Sequence, residues 1–200
     1  MTQSLAQKRQ ITRDDIIPIE QYTAERKALR RDLVGKKKLR RLEVGPVATF
    51  YFENYETMWH QIHEMLYIEK GGEEQIKDEL AAYNPLIPQG RELVATVMFE
   101  IDEARRRATF LGKLGGVEER MFLEIDGDRT MSVPEADVDR TSADGKASSV
   151  QFVHFPLSDA QAAAFKSEGA RIVLGIDHPD YGHMVVMPEA VRTALAEDLD

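Results

Sequence analysis

Three side chains that commonly bind metal ions follow one another on a short segment: Glu56, His60 and His63. On a helix, spacings of four and three residues place them in one row, with neighbouring Cβ atoms ~5–6 Å apart. A carboxylate and two imidazoles at that separation could share a metal ion, which would support a metal-dependent enzyme. The alternative is a solvated helix flank on which the histidines hydrogen-bond to neighbouring glutamates. Because the spacing is not that of the H-E-x-x-H zinc motif, whether the protein is an enzyme stays open.

The helix that would position this row is predicted from about Asn54 to Lys70. Apolar side chains recur through it at helical spacing and form one stripe, which we expect to face the core. The stripe consists of Tyr55, Met58, Trp59, Ile62 and Leu66. Gly71 and Gly72 end the pattern. A second helix is predicted for Glu73–Ala82, and the two prolines of "YNPLIP" stop it.

The remaining pattern predicts an α+β fold. The clearest strand is "ELVATVMFEI" (Glu92–Ile101), which is apolar on both faces and therefore expected to be central in its sheet. Asp126-Gly127 lies between two strand-like segments and predicts a β-hairpin. The polar stretch at residues 137–149 is typical of a mobile connection. Hairpins and helices without a regular βαβ alternation favour a mixed or antiparallel sheet with flanking helices and a basic N-terminal helical arm.

Charge is divided unevenly along the chain. Residues 1–41 carry 12 Lys and Arg against 5 Asp and Glu, a net +7, whereas residues 42–200 carry 14 against 30, a net −16. A basic arm on an acidic body could bind nucleic acid, an anionic surface, or an acidic face of its own chain or of another subunit. Nucleic-acid binding would use the cations of Arg26–Arg41 to neutralise phosphates. Aromatic side chains are not interleaved with these cations, and only Tyr22 lies nearby. We therefore do not expect a platform on which bases could stack.

Length and composition limit the classes of protein to consider. We expect a basic N-terminal helical arm at residues 1–45 and a single α+β domain at residues 46–200. The sequence contains no cysteine, which excludes disulfides, thiol nucleophiles and thiolate-held zinc or iron–sulfur clusters. No window approaches the ~18 apolar residues of a membrane helix, and "MTQSLAQKRQ" lacks the apolar core of a secretory signal. We therefore expect a cytoplasmic protein with no membrane partner.

Three segments together resemble an uncharacterised bacterial family known as a domain of unknown function. They are "FENYET…Q…EML" (Phe52–Leu66), "ELAAYNPLIP" (Glu79–Pro88) and "ELVATVMFEI" (Glu92–Ile101), preceded by a basic arm that ends in Gly45-Pro46. The resemblance covers nearly the whole chain. Members of that family are often encoded beside a rubrerythrin-like di-iron protein and an iron–sulfur oxidoreductase. The resemblance therefore implies partners of those two kinds and a redox or oxidative-stress setting, without implying a reaction or a cofactor.

The resemblance also directs attention to particular polar residues. Those that match the family pattern are Glu53, Asn54, Thr57, Gln61, Glu64, Tyr83, Asn84 and Pro85. The pattern does not require histidine at positions 60 and 63, which weakens the metal interpretation. On the helix, the matching residues form a row nearly opposite the core stripe, where a lone amphipathic helix would meet water. Polar residues specified by type at such positions indicate contact with another element, a ligand or a subunit.

The arm offers cations that could reach this row. We expect Arg40 or Arg41 to pair with Glu53 and Glu64, either as part of a recognition surface or as a network inside the fold. In the second case each exposed pair would contribute only ~0.2–1 kcal/mol.

These observations favour a non-enzymatic binding or accessory protein that forms a homo-oligomer. Its functional surface is predicted to combine the polar row with the Tyr83–Pro88 corner. The residues expected to bind a ligand or partner are Glu53, Asn54, Thr57, Gln61, Glu64, Tyr83, Asn84, Arg40 and Arg41. Two alternatives remain open: a metal-dependent enzyme that uses Glu56, His60 and His63, and nucleic-acid binding through the basic arm.

Overall fold

The structure, a computed structural model, describes residues 8–135, 141–142 and 145–200, so residues 137–140 and 143–144 of the polar stretch predicted at 137–149 lie outside the described residues. The helices are α1 (Ile19–Lys37), α2 (Tyr55–Glu69), α3 (Gly72–Tyr83), α4 (Ala104–Leu111), α5 (Asp159–Lys166) and α6 (Glu189–Ala196). The strands are β1 (Arg41–Val44), β2 (Ala48–Glu53), β3 (Glu92–Phe99), β4 (Met121–Ile125), β5 (Asp128–Met131), β6 (Val133–Pro134), β7 (Val150–Pro156), β8 (Ile172–His178) and β9 (Tyr181–Val186).

Within the described residues, the strands form two antiparallel sheets, which confirms the α+β class. One sheet has the order β1-β2-β3-β7-β6 and the other has the order β5-β4-β8-β9. The strand predicted to be central, β3, lies between β2 and β7. Asp126 and Gly127 both have positive φ, at 49° and 91°, and form the predicted turn between β4 and β5. The domain boundary predicted at residues 45 and 46 falls between β1 and β2, which are neighbours in one sheet.

The main core lies between the inner faces of the two sheets. Phe50 and Phe155 from the larger sheet pack in one cluster with Leu123 and Ile176 from the smaller sheet. Two side chains from the C-terminal helices, Phe165 on α5 and Leu195 on α6, belong to the same buried cluster. Alternation along each strand sends these apolar groups inward, so burial of the shared face holds the two sheets together.

A second core lies on the outer face of the larger sheet, beneath α2 and α3. Met58, Ile62 and Leu66 of α2 pack there with Ile76 of α3 and with Val94 of β3. The predicted stripe of α2 is thus confirmed, and the two clusters explain why β3 is apolar on both faces. None of the described helices is long and apolar enough to span a lipid bilayer.

Helix α2 begins at a well-formed cap. The Asn54 side chain accepts a hydrogen bond from the Thr57 amide at 3.1 Å, and the Thr57 hydroxyl accepts one from the Asn54 amide at 2.9 Å. This reciprocal arrangement satisfies amides that the first helical turn leaves without partners. Helix α1 packs along the side of α2 that faces away from the sheet, and its Tyr22 is fully buried. Another helix therefore covers much of the polar side of α2, where Glu56, Gln61 and Glu64 are half-buried.

The short edge strand β6 is tied to the larger sheet by a histidine held between two carboxylates. On β7, His154 Nδ1 lies 2.9 Å from Glu92 Oε2, and His154 Nε2 lies 3.0 Å from Glu135 Oε2. Burial opposes a charge on the imidazole, but the two carboxylates outweigh it and raise the pKa of His154.

We expect this site to make stability depend on pH. Because the pKa is raised in the folded state, the contribution of His154 is fully present below its ordinary value of 6.5 and is lost as the pH rises through the folded value. His154→Gln is expected to lower the free energy of unfolding by about 1–3 kcal/mol at acidic pH and to flatten its pH dependence. Urea unfolding at several pH values measures both effects; an unchanged profile in the variant would contradict the assignment.

Candidate functional site

The C-terminal half of the polar row on α2 binds the arm through Glu64. The Arg26 guanidinium donates from Nε to Glu64 Oε1 at 2.8 Å and from Nη2 to Oε2 at 2.7 Å. The buried Tyr22 hydroxyl donates to Glu64 Oε1 at 2.6 Å. Hydrogen bonds from Arg26 outweigh burial and lower the pKa of Glu64 to about 2, whereas burial and the neighbouring carboxylate raise the pKa of Tyr22. Helix α1 is thus fixed to α2 by a charged, bidentate contact.

The N-terminal half of the row lies at a buried polar junction. Arg40 Nε donates to the Phe52 carbonyl at 3.0 Å, and its guanidinium pairs with Asp198, which is only 1% exposed. Asn54 Nδ2 also reaches Asp198 Oδ1, at 3.4 Å. Burial raises the pKa of Asp198, while Arg40 acts in the opposite direction. The junction links the end of α1, the cap of α2 and the C-terminal segment.

The predicted ion pairs of Arg40 or Arg41 with Glu53 and Glu64 do not form. Glu53 ends β2, and strand alternation directs its side chain across the sheet, where it accepts a hydrogen bond from the Thr96 hydroxyl at 2.7 Å. Arg40 contacts the Glu53 backbone carbonyl, at 3.2 Å, and Arg41 is exposed and pairs with Glu43. Glu64 is too far along α2 for either arginine and takes Arg26 instead.

The Tyr83–Pro88 corner holds the segment that precedes α1. Asn84 Oδ1 accepts from the Ile11 amide at 2.8 Å, and Asn84 Nδ2 donates to the Ile11 carbonyl at 2.9 Å. Gln61 Nε2 lies 3.5 Å from the Tyr83 hydroxyl, which joins α2 to α3, and burial raises the pKa of Tyr83. Like Glu64, these predicted site residues find their partners within the chain.

The three residues proposed to bind a metal ion, Glu56, His60 and His63, do not share a common site. Glu56 pairs with Lys36 of α1. His63 Nδ1 donates to the Trp59 carbonyl at 2.7 Å, and because His63 Nε2 accepts from the Ile17 amide at 3.2 Å, the ring is neutral. Burial lowers the pKa of His63 and of His60, whose Nε2 has no hydrogen-bond partner among the described residues. No group of three or more His, Asp or Glu arranged for a metal ion occurs in the described part of the chain.

The basic arm is partly neutralised by the rest of the chain. Arg26, Lys36, Arg40 and Arg41 pair with Glu64, Glu56, Asp198 and Glu43. The cations that form no ion pair with any described residue are Lys27, Arg30, Arg31, Lys37 and Lys38, and all five are exposed. The paired cations of the arm therefore fix it to the rest of the fold. The exposed basic surface on its outer side is smaller than the sequence indicates.

A cleft of about 790 Å³ lies where the arm meets the end of α2 and the start of α3. Its apolar lining comes from three separate segments: Ile16, Ile17 and Ile19 before and within the start of α1, Leu66 and Ile68 on α2, and Ile76 on α3. At its mouth, Arg13 pairs with Glu73, and Lys70 is exposed. His63 is the predicted metal residue that also lines the cleft.

Sequence reasoning missed this cleft because no single segment contains it. A partial signal was present in Ile16, Ile17 and Ile19, which surround Pro18 in an otherwise charged arm. A second signal was Ile68, an apolar residue that lies outside the core stripe of α2 and is 63% exposed.

The family and the solved structure to which this chain is similar are both described as having unknown function. Residues 10–199 match the model of a family described as a protein of unknown function, DUF3501. A solved crystal structure, described as a novel protein of unknown function from Burkholderia pseudomallei K96243, is similar to this chain with a TM-score of 0.88 and 36% sequence identity. The match covers 95% of this chain and 99% of that one. No curated protein matches the sequence.

Proposed function

Since the chain belongs to the DUF3501 family, whose model spans residues 10–199, we propose that it is a binding or accessory protein and that the cleft between the arm, α2 and α3 is its ligand site. The observation that carries the proposal is the cleft itself. Ligand sites are typically concave, mostly apolar and about 300–1,000 Å³ in volume, and this cleft has those properties.

The chemistry of the walls favours one class of ligand. Isoleucine and leucine side chains from three segments offer dispersion contacts to an apolar body. At the mouth of the cleft, Arg13 and Glu73 form an ion pair, so their charges cancel. Lys70 is then a cation without an ion-pair partner among the described residues. His63 is buried and neutral, and both ring nitrogens are engaged by backbone groups, so it adds no charge. An apolar molecule that carries one negative group fits these walls.

Two polar residues that match the family pattern hold one wall of the cleft in place. Glu64 binds Arg26 and Tyr22, and Asn84 binds the Ile11 backbone on the other side of the cleft-forming segment. These contacts fix the arm at both ends of the stretch that forms one wall. We therefore assign Glu64 and Asn84 as positioning residues, because they hold the wall in place without lining the cleft.

The biological setting rests on the family resemblance. That resemblance implies rubrerythrin-like and iron–sulfur oxidoreductase proteins as partners, and on this basis the proposal includes an accessory role in a redox or oxidative-stress setting. The proposal includes no reaction, since the polar groups of His63, Thr23 and Glu73 in the lining are engaged by the backbone or by Arg13.

A fluorescent probe with the proposed chemistry tests the cleft. Anilinonaphthalene sulfonate combines an apolar ring system with one anionic group, and we expect saturable binding to the folded protein. Ile68→Glu places a charge on the apolar wall and is expected to weaken binding by about tenfold or more. Lys70→Gln is expected to weaken it by a smaller factor, because the sulfonate loses its cation.

The matched control is Val34→Glu, since Val34 is 58% exposed on α1 and does not line the cleft. It introduces the same charge at similar exposure and is expected to bind the probe like the unmodified chain. Equal affinities for the Ile68→Glu and Val34→Glu variants would contradict the proposed site.

A further inference from the structure

The edge strands of the two sheets differ in how they are protected from pairing with other strands. Native edges usually carry charged residues or proline, or are very short. Strand β1 contains Arg41 and Glu43, β5 contains Asp128 and Arg129, and β6 has two residues, one of them Pro134. Strand β9, "YGHMVV", has six residues and none of these features. Among the described edge strands it is the one that lacks all three features, while its first residue packs against the β1–β2 turn, where the Tyr181 hydroxyl donates to the Val44 carbonyl at 2.7 Å.

The free side of β9 presents backbone groups that are ready to bind a strand. The Met187 amide donates to the Ile172 carbonyl at 2.8 Å, so this pair is of the hydrogen-bonded type. In an antiparallel ladder the bonded pairs alternate, which makes 185 and 183 the next residues bonded to β8. The N–H and C=O groups of Gly182, Met184 and Val186 therefore point away from β8, and no described residue binds them.

Apolar side chains mark the same edge. Met184 is 67% exposed and Val186 is 54% exposed. Met184 continues a cross-strand row on the outer face of the smaller sheet through Gly175, Phe122 and Met131. Phe122 is covered, because its ring lies on Gly175 and Arg129 stacks 3.8 Å from its centre. Exposed apolar surface in this row thus lies at its two ends, and Met184 at the β9 end is more exposed than Met131 at the β5 end, which is 41% exposed.

We propose that the β9 edge is an interface with a second copy of this chain, in which two β9 strands pair antiparallel about a twofold axis at Met184. That register places Met184 opposite Met184 and Gly182 opposite Val186, so the absent side chain of glycine leaves room for valine. All six outward-facing groups of each strand then find partners. Because β9 carries no Asp, Glu, Lys or Arg, no like charges meet across the axis. An isologous contact of this kind closes as a dimer.

The inference is independent of the proposed ligand site, since no cleft residue lies on β9. Sedimentation equilibrium of the full chain is expected to detect a concentration-dependent dimer that persists in high salt, because no ion pair contributes to it. Met184→Lys is expected to weaken self-association by at least about tenfold. Met184→Pro removes an outward N–H without breaking the bonds to β8 and is expected to have the same effect.

The matched control is Met131→Lys, which adds the same charge at an exposed methionine on the opposite edge of the sheet and is expected to leave the dimer intact. Val186→Lys repeats the test if a Met184 variant does not fold. Hydrogen exchange gives a second measurement on the unmodified chain: the amides of Gly182, Met184 and Val186 are expected to exchange more slowly as protein concentration rises. A monomer at all concentrations, or a dimer unaffected by lysine at both positions, would overturn the inference.

Discussion

Arg40→Ala is expected to lower the free energy of unfolding by about 3–5 kcal/mol, the loss typical of a buried ion pair from which one partner is removed. The reason is that Asp198 would remain buried, with Asn54 as its remaining side-chain partner. The backbone carbonyls of Phe52 and Glu53 would lose their donors as well. Because a buried carboxyl without its cation takes up a proton more readily, the loss is expected to be smaller at acidic pH than at neutral pH.

The neighbouring arginine provides the control. Arg41→Ala removes the same side chain one position later, where it is exposed and paired with Glu43. Surface pairs of this kind contribute little, so we expect a change within about 0.5 kcal/mol. Urea unfolding of both variants measures the difference. Equal destabilisation by the two substitutions would show that the junction around Asp198 does not hold the fold together.

Tyr22→Ala is the second change with a large expected effect, a destabilisation of about 3–5 kcal/mol. Tyr22 is fully buried between α1 and α2, and its ring centre lies 5.0 Å from that of His63 and 6.3 Å from that of Trp59. Removing the ring leaves a cavity at the contact that fixes α1. Because α1 begins at the cleft wall, we expect probe binding in the cleft to weaken by about tenfold or more as well.

Tyr22→Phe separates the ring from the hydroxyl. The ring still fills the contact, and Glu64 keeps both hydrogen bonds from Arg26. Loss of the hydroxyl bond to a carboxylate is expected to cost about 1–2 kcal/mol and to leave the cleft intact. If alanine and phenylalanine at position 22 had the same effect on unfolding and on probe binding, the packing role of the ring would be contradicted.

Local sequence patterns predicted the helices, strands and turns well, because these elements depend on residues that are close together in the sequence. The apolar stripe from Tyr55 to Leu66 predicted the buried face of α2, since helical periodicity fixes which side chains share a side. Asp126-Gly127 predicted its hairpin because both residues accept positive φ. The doubly apolar pattern of β3 predicted a strand covered on both faces.

The same patterns could not identify the neighbours of an element. The polar row of α2 was expected to contact another element, a ligand or a subunit, and periodicity could not choose among these because it does not reveal how many elements surround a helix. Helix α1 covers that side through Tyr22 and Arg26, residues that on their own indicate an aromatic side chain near a basic arm. The partner of Arg40 is Asp198, 158 residues along the chain, and no local spacing encodes such a pair. The cleft escapes sequence reasoning for the same reason, since its walls meet only after folding.

The central claim is that the cleft between the arm, α2 and α3 binds a ligand, and methyl-resolved NMR during titration with anilinonaphthalene sulfonate tests it most directly. We predict saturable shifts of the methyl groups of Ile16, Ile17, Ile19, Leu66, Ile68 and Ile76, with Val34 and Leu39 of the exposed arm unaffected. Shifts confined to residues outside the cleft, or no saturation at any ligand concentration, would contradict the account.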